Sequence, residues 1–309
     1  MRIGIGVGAG AGTEGALDQM IGEVQKAEAD GFASVWVANI FGVDALTFLA
    51  LAGRETKTIE LGTFVVPTYP RHPTAIAQQA LTVAAASNNR FTLGIGLSHK
   101  VVIENMFGLD YSKPIRHMRE YLSVLMPLLE GKQVNFQGEE YRVAAQMSVP
   151  GANRPPVLVA ALGPQMLKLA GKMADGTATW MGGPHYLRDT AAPLLRAAAA
   201  EAGRPAPRIV SGFPIAVTDN VDAAKASASK VFAIYGTLPS YRAVLDVEGA
   251  ADASAIAIAG SEKEVERQVR DLANCGVTDL NASIFPVEGD KNVFPRTYEL
   301  LKGLAKAGV

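Results

Sequence analysis

Eight short apolar runs alternate with longer helical patterns along the 309-residue chain. This alternation predicts an α/β fold, a (β/α)8 barrel of the TIM type with insertions after strands 4 and 7. Several of the runs are apolar with little alternation, as expected for parallel strands that are covered on both faces. Helix boundaries agree, because Gly31 and Gly203 follow helical patterns and Ser261 forms a capping box with Glu264. We treat residues 1–309 as one domain.

The elements follow one another in a regular order. The predicted strands are Arg2–Gly8, Ala33–Asn39, Ile59–Val66, Phe91–Gly96, Pro156–Ala161, Gly176–Trp180, Arg208–Ala216 and Asp279–Phe285. The predicted helices are Glu14–Asp30, Asp44–Glu55, Pro73–Ser87, Ile115–Leu129, Pro164–Ala174, His185–Ala202, Ser261–Ala273 and Phe294–Ala307. Two stretches exceed a minimal barrel, Ser98–Asn153 and about Val231–Ala259. Both follow the carboxyl ends of strands, where barrel enzymes build their sites.

The glycine-rich opening, MRIGIGVGAGAG, also matches the relaxed pattern G-x-G-x-x-A of a dinucleotide-binding turn. Such a turn requires an acidic residue at the end of the second strand, where it holds a ribose. Here the second strand, ASVWVANI, ends in Asn39 and Ile40. We therefore drop the NAD hypothesis and predict a first barrel strand whose glycines, up to Gly8, let a ligand or a neighbouring backbone approach closely.

Composition excludes several classes of function. Lys and Arg (29) nearly balance Asp and Glu (30), so a phosphate-binding surface for nucleic acid is not expected. The single cysteine, Cys275, excludes an internal disulfide framework. No signal-peptide pattern or apolar run of about 18 residues occurs, which predicts a soluble, cytoplasmic protein that does not bind a membrane. We assign no metal site and expect a small molecule as substrate.

Two strand ends carry candidate chemistry. The fourth strand ends in NNRFTLGIGLSHK, where Gly94 and Gly96 permit close approach of the backbone. His99 then follows at the carboxyl edge and is a candidate acid, base or hydrogen-bond donor. The fifth strand ends in the small-residue turn Ala160–Gly163, and a helix begins at Pro164. Free N–H groups at that helix start suit an anion or a ring carbonyl.

Several phrases together resemble the bacterial luciferase-like superfamily. They are EADGFASVWV, LGT followed by spaced prolines, NRFTLGIG, VAALGP with LAGKMADG, and AGSEKEVERQVRDLANCGVTDL. The phrases occur in family order over nearly the whole chain, which looks most similar to the actinobacterial branch that uses the deazaflavin coenzyme F420. Members are (β/α)8 barrels that bind a flavin or deazaflavin at the carboxyl mouth. The resemblance therefore implies an F420-dependent oxidoreductase, and a homodimer.

The resemblance also implies where cofactor and substrate bind. Family members often have a non-prolyl cis peptide bond in a bulge of the third strand. Here that bond would join Phe64 and Val65. The turn Ala160–Gly163 would hold the phosphate-bearing tail of the cofactor, and His99 would be catalytic. The implied cofactor-binding residues are Ala38, Asn39, Phe64, Val65, Val66, Leu97, Ser98, His99, Ala160, Ala161, Leu162 and Gly163. The implied substrate-pocket residues are Gly8, Ile40, Phe41, Thr179, Trp180 and Met181.

The chain departs from F420-dependent sugar-phosphate dehydrogenases at two places. Those enzymes carry an Asp-His pair where this chain has Asn39 and Ile40, and an acidic residue where it has His99. Apolar side chains at the mouth instead predict a hydrophobic or aromatic organic substrate. The leading hypothesis is hydride transfer between F420 and that substrate, with His99 as proton donor. Two alternatives stay open: an FMN-dependent monooxygenase that uses reduced flavin and O2, and a non-catalytic F420-binding barrel.

Overall fold

The computed structural model describes residues 1–8 and 15–308, and its centre is the predicted barrel of eight parallel strands. Each strand pairs with the next, and β8 pairs with β1 to close the ring. The strands are β1 (Arg2–Val7), β2 (Ser34–Val37), β3 (Glu60–Thr63), β4 (Phe91–Gly96), β5 (Val157–Ala160), β6 (Gly176–Trp180), β7 (Arg208–Val217) and β8 (Asp279–Ile284). The predicted third strand is interrupted after Thr63 and resumes only at Val66–Pro67, which pairs with β4.

Helices surround the barrel. They are Ala16–Asp30, Ala45–Glu55, Pro73–Ala86, Lys100–Asn105, Pro114–Leu129, Pro164–Met173, Pro184–Tyr186, Ala192–Glu201, Val221–Val231, Pro239–Val247, Glu262–Asn274 and Val293–Ala307. The predicted helix His185–Ala202 contains a π-helical turn, Leu187–Ala191. The prediction missed Val221–Val231, which begins where Asn220 accepts the N–H of Ala223. Across residues 1–8 and 15–308, no helix is long and apolar enough to cross a bilayer.

Two sequence signals have definite outcomes in the structure. The predicted capping box is confirmed, because Ser261 and Glu264 bond reciprocally at the start of helix Glu262–Asn274. The end of the glycine-rich opening and the predicted helix start at Glu14 lie outside the described residues. Within β1, a side chain at Gly4 would begin 2.2 Å from Ser34 Oγ. That glycine therefore makes room for the neighbouring strand rather than for a ligand.

Both insertions add structure beyond the carboxyl ends of the strands. The first contains helix Lys100–Asn105 and an antiparallel hairpin, Val134–Gln137 with Arg142–Ala145. The second contains helix Pro239–Val247 and a short strand, Ile258–Gly260, which pairs with the upper half of β7. The first residues of the long β7 therefore pair within the barrel, and its last residues pair with the strand of the second insertion.

The lower end of the barrel is closed by charged residues. Arg208 on β7 bonds Asp279 on β8 at 2.8 Å and Glu60 on β3 at 2.9 Å, and Arg2 reaches Asp279 at 2.7 Å. Above them, side chains from four strands and the bulge fill the interior: Trp36, Leu158, Ala178 and Val210, packed against Phe64 and Val65. Because the lower end is filled, a ligand enters the barrel from the carboxyl mouth.

Candidate active site

A cavity of about 1560 Å³ opens at the carboxyl ends of the barrel strands. Pockets for a single small molecule typically measure about 300–1,000 Å³. The barrel mouth therefore has space for a cofactor and a substrate together. Both insertions contribute to the wall, which carries more apolar than polar surface.

Most of the predicted site residues line this cavity. They are Gly8, Ala38, Asn39, Ile40, Phe41, Phe64, Val65, Leu97, Ser98, His99, Ala160, Ala161, Leu162, Gly163 and Trp180. They come from the ends of β1 to β6, so the closed barrel brings together short segments that are distant in sequence. Asn39 also supports the fold, because its Oδ1 accepts the N–H of Ala45 at the start of a helix.

The structure does not bring Val66, Thr179 and Met181 to the cavity wall. Val66 is fully buried, and Met181 is buried with a positive φ of 50°. Thr179 lies between Ala178 and Trp180, both of which line the cavity. Since side chains alternate along a strand, Thr179 faces the opposite side, where its Oγ1 bonds Ser211 Oγ at 2.5 Å. The strand-end rule placed these residues at the mouth but did not decide which side each one faces.

A bulge after β3 forms the floor of the cavity. The peptide bond between Phe64 and Val65 is cis, at the position that the resemblance implies. Thr63 Oγ1 accepts the N–H of Gly94 and donates to its carbonyl, each at 2.8 Å. A side chain at Gly94 would begin 2.1 Å from the Thr63 carbonyl oxygen, and one at Gly96 2.7 Å from Val65 Cγ2. The two β4 glycines therefore make room for this bulge.

His99 lies half-buried on the cavity wall, where it precedes helix Lys100–Asn105. Burial lowers the pKa of His99 below its usual value, so the imidazole is neutral at neutral pH. Its ring centroid lies 6.0 Å from that of Tyr241 in the second insertion. Among residues 1–8 and 15–308, no group hydrogen-bonds to its ring nitrogens. A neutral imidazole in this state is free to donate or accept a hydrogen bond from a ligand.

The helix after β5 begins at the cavity without a side-chain cap. Gly163 occupies the capping position, and a Cβ built there meets nothing within 4 Å. The Tyr186 hydroxyl donates to the carbonyl of Leu162 and holds the turn in place. Uncapped N–H groups at a helix start attract negative charge. This turn has the open space and the donors that an anionic group needs.

Sequence reasoning missed Asn281 on β8. It lines the cavity and is 4% exposed, and its Oδ1 has no hydrogen-bond partner in the described part of the chain. A buried amide oxygen normally has a donor, so this atom is available to a ligand that carries N–H or O–H groups. The signal was the single amide within the strand DLNASI, which otherwise reads as a buried strand.

The family model described as luciferase-like monooxygenase matches residues 1–279. The chain belongs to this family. The 5,10-methylenetetrahydromethanopterin reductase of Archaeoglobus fulgidus is 30% identical over 301 residues, which cover 93% of this chain and 86% of that protein. A protein of Mycobacterium tuberculosis named putative coenzyme F420-dependent oxidoreductase is 33% identical over 167 residues. These residues cover 50% of this chain and 48% of that protein.

Solved structures show how widely this luciferase-like fold is used. The coenzyme F420 dependent tetrahydromethanopterin reductase from Methanopyrus kandleri has a TM-score of 0.78 at 22% identity, covering 99% of this chain and 97% of that one. The oxygenating constituent of 3,6-diketocamphane monooxygenase from Pseudomonas putida, in complex with FMN, has a TM-score of 0.75 at 16% identity, with the same coverage. At these identities both likenesses show the fold alone.

Charged side chains in this luciferase-like cavity are few and mostly paired. Arg71 bonds Asp44 at 2.9 Å, and Lys26 bonds Asp30 at 2.5 Å. Burial is what lowers the pKa of His99. The inner cavity is therefore an apolar space with a few uncharged polar groups.

Proposed function

We propose that this chain is an F420-dependent oxidoreductase that transfers a hydride between the deazaflavin and a small apolar substrate. The observation that carries the proposal is the arrangement of the bulge and the uncapped helix start on one cavity. The apolar floor at Phe64 and Val65 suits a flat ring, and the open turn at Gly163 suits an anionic tail. Two relatives support it, the 5,10-methylenetetrahydromethanopterin reductase of Archaeoglobus fulgidus and the putative coenzyme F420-dependent oxidoreductase of Mycobacterium tuberculosis.

The chain's own residues would divide the work as follows. Phe64 and Val65 would support the ring, with Leu97 and Ser98 beside it, and Ala160–Gly163 would bind the tail. When bound in its reduced form, the deazaflavin supplies a hydride. His99, neutral on the cavity wall, would exchange a proton with the substrate. The apolar lining would exclude water from that exchange.

The mouth favours an apolar substrate. Ile40 is 73% exposed and Phe41 58% exposed, and both line the cavity. Phe107 from the first insertion contacts Phe41, with ring centroids 5.9 Å apart. Covering such side chains with an apolar ligand stabilises the complex by about 25 cal/mol per Å² removed from water.

Titration with oxidised F420 and with FMN, followed by fluorescence quenching, tests the cofactor. We expect tight F420 binding and weak FMN binding. Gly163→Asp would place a carboxylate where the tail binds, and we expect it to raise the F420 dissociation constant at least about tenfold. Gly163→Ala adds only a methyl group in open space and is the matched control. Tight FMN binding with negligible F420 binding would refute the proposal.

A second candidate is an FMN-dependent monooxygenase, which the family description luciferase-like monooxygenase supports. It predicts the opposite order of affinities in the same titration. If F420 binds but is neither oxidised nor reduced with any substrate of a broad panel, the non-catalytic barrel is favoured. The homodimer and the cytoplasmic location stay predictions; light scattering on the purified chain tests the first.

A further inference from the structure

The second insertion covers one side of the cavity with two tyrosines. Tyr235 lies in the turn Ala233–Thr237 and Tyr241 on helix Pro239–Val247, and both line the cavity. Their ring centroids are 4.7 Å apart. Tyr235 also contacts Trp180 at the end of β6, with ring centroids 6.3 Å apart. The insertion is thus joined to the barrel wall by aromatic contacts.

The helix that carries Tyr241 is held at both of its ends. Arg242 donates to the carbonyl oxygens of Ala250 and Ala251 at 2.7 and 2.8 Å. Glu248, just past the helix, accepts the N–H of Tyr186 at 2.5 Å, and its side chain is 7% exposed. Tyr241 is therefore held in a defined position on the cavity wall.

Tyr241 and His99 both line the cavity, and their side chains are neighbours. Their rings are in contact, with centroids 6.0 Å apart and planes at 56°. Neither the Tyr241 hydroxyl nor a His99 ring nitrogen has a hydrogen-bond partner within residues 1–8 and 15–308. Both polar groups are therefore free to bond a ligand. Because the two rings are in contact, a ligand that contacts one of these side chains in the cavity also lies close to the other.

We propose that Tyr241 is a specificity-determining residue that binds, beside His99, the uncharged oxygen of a ketone or alcohol substrate. The proposal rests on the proposed function and names its substrate class. Tyr241 donates a hydrogen bond to that oxygen, and the apolar part of the substrate lies toward Ile40 and Phe41.

In the part of the chain that the structure describes, the surroundings of Tyr241 carry no unpaired charge that is known, and this favours an uncharged substrate oxygen. Burial raises the pKa of the Tyr241 hydroxyl and lowers that of His99, so both groups are neutral at neutral pH. Two cations of the cavity wall, Arg71 and Lys26, are paired with Asp44 and Asp30. A carboxylate or phosphate would lose its hydration beside Tyr241 without gaining a counter-ion. A ketone oxygen loses less hydration free energy than a charged group does, and it accepts a hydrogen bond from the Tyr241 hydroxyl.

Three probes of similar shape test the proposal: acetophenone, ethylbenzene, which lacks the oxygen, and benzoate, which is charged. Their dissociation constants are measured on the full chain by calorimetry, with and without F420. We expect acetophenone to bind about three- to tenfold more tightly than ethylbenzene, and benzoate to bind more weakly than acetophenone. In Tyr241→Phe the preference for acetophenone over ethylbenzene should fall at least about twofold, because only His99 is left to bond the oxygen.

The control variant is Tyr141→Phe, which removes a hydroxyl from a tyrosine that does not line the cavity. It should keep the wild-type preference, and near-UV circular dichroism checks that both variants fold. The proposal is overturned by an unchanged preference in Tyr241→Phe, by wild-type protein that does not bind acetophenone, or by tighter binding of benzoate. Because the probes are measured without F420 as well, a failure of F420 binding contradicts only the proposed function.

Discussion

His117 lies buried between the barrel and the hairpin of the first insertion, and its protonation should destabilise the fold. It is 5% exposed on helix Pro114–Leu129. Its Nε2 is 2.9 Å from Thr68 Oγ1 and its Nδ1 is 3.4 Å from the Tyr141 hydroxyl. The ring of Tyr69 stacks on it with centroids 3.9 Å apart. Burial lowers the pKa of His117 from 6.5 to about 4, although Glu140 and Glu120 act in the opposite direction.

The sign and size of the effect follow from linkage. Between pH 6.5 and about 4 the unfolded chain binds a proton that the folded chain does not, so the free energy of unfolding falls as the pH falls. At about 1.36 kcal/mol per pKa unit, the difference between a pKa of 6.5 in the unfolded chain and about 4 in the folded chain amounts to about 3 kcal/mol of unfolding free energy. About 2 kcal/mol of it should be lost by pH 5. Below about pH 4 this contribution changes no further.

Urea unfolding from pH 7.5 to 5, followed by circular dichroism, measures this loss. His117→Gln keeps hydrogen-bonding groups but does not titrate, so its free energy of unfolding should be lower at pH 7.5 and much flatter with pH. Both chains carry His99→Gln, because burial also lowers the pKa of His99. Buried carboxylates such as Asp279, whose pKa is lowered from 3.8, lose their contribution only at more acidic pH. Parallel curves for the two chains would refute the reasoning.

Two further predictions concern the barrel itself. Arg208→Met leaves Asp279 buried without its main partner and should cost about 3–5 kcal/mol in urea unfolding, whereas Arg270→Met breaks an exposed helix pair and should cost less than about 1 kcal/mol. Equal losses in the two variants would contradict the importance of the lower charged network. Gly94→Ala places a methyl group 2.1 Å from the carbonyl oxygen of Thr63, the last residue before the bulge, and should cost about 1–3 kcal/mol. Gly163→Ala should be nearly neutral. An unchanged melting temperature for Gly94→Ala would show that the bulge is not packed as described.

Local patterns were enough to predict the eight strands. Each strand is a short apolar run bounded by turn residues, and burial of both faces requires that composition whatever the neighbours are. The predicted bounds of β4 and β6 agree with the structure at both ends. The third strand was predicted too long, because a run of apolar letters does not show where hydrogen bonding stops.

Site residues at strand ends could be predicted once the strands were known. In a parallel barrel all carboxyl ends meet at one mouth, so His99 and the turn Ala160–Gly163 had to lie on one cavity once the strands were known. The side that each residue faces was harder to predict. Thr179 and Met181 follow the same rule but are buried, because alternation and local backbone turn them away from the mouth.

By itself the sequence determined the barrel, its open end and the family of the chain, since these depend on periodicity and on motifs read in order. Only the tertiary structure decided what completes the cavity. Tyr241 reaches His99 through an insertion that is held by Arg242 and Glu248, and Asn281 joins them from the last strand. Such contacts depend on packing between segments far apart in the chain, which no local pattern encodes.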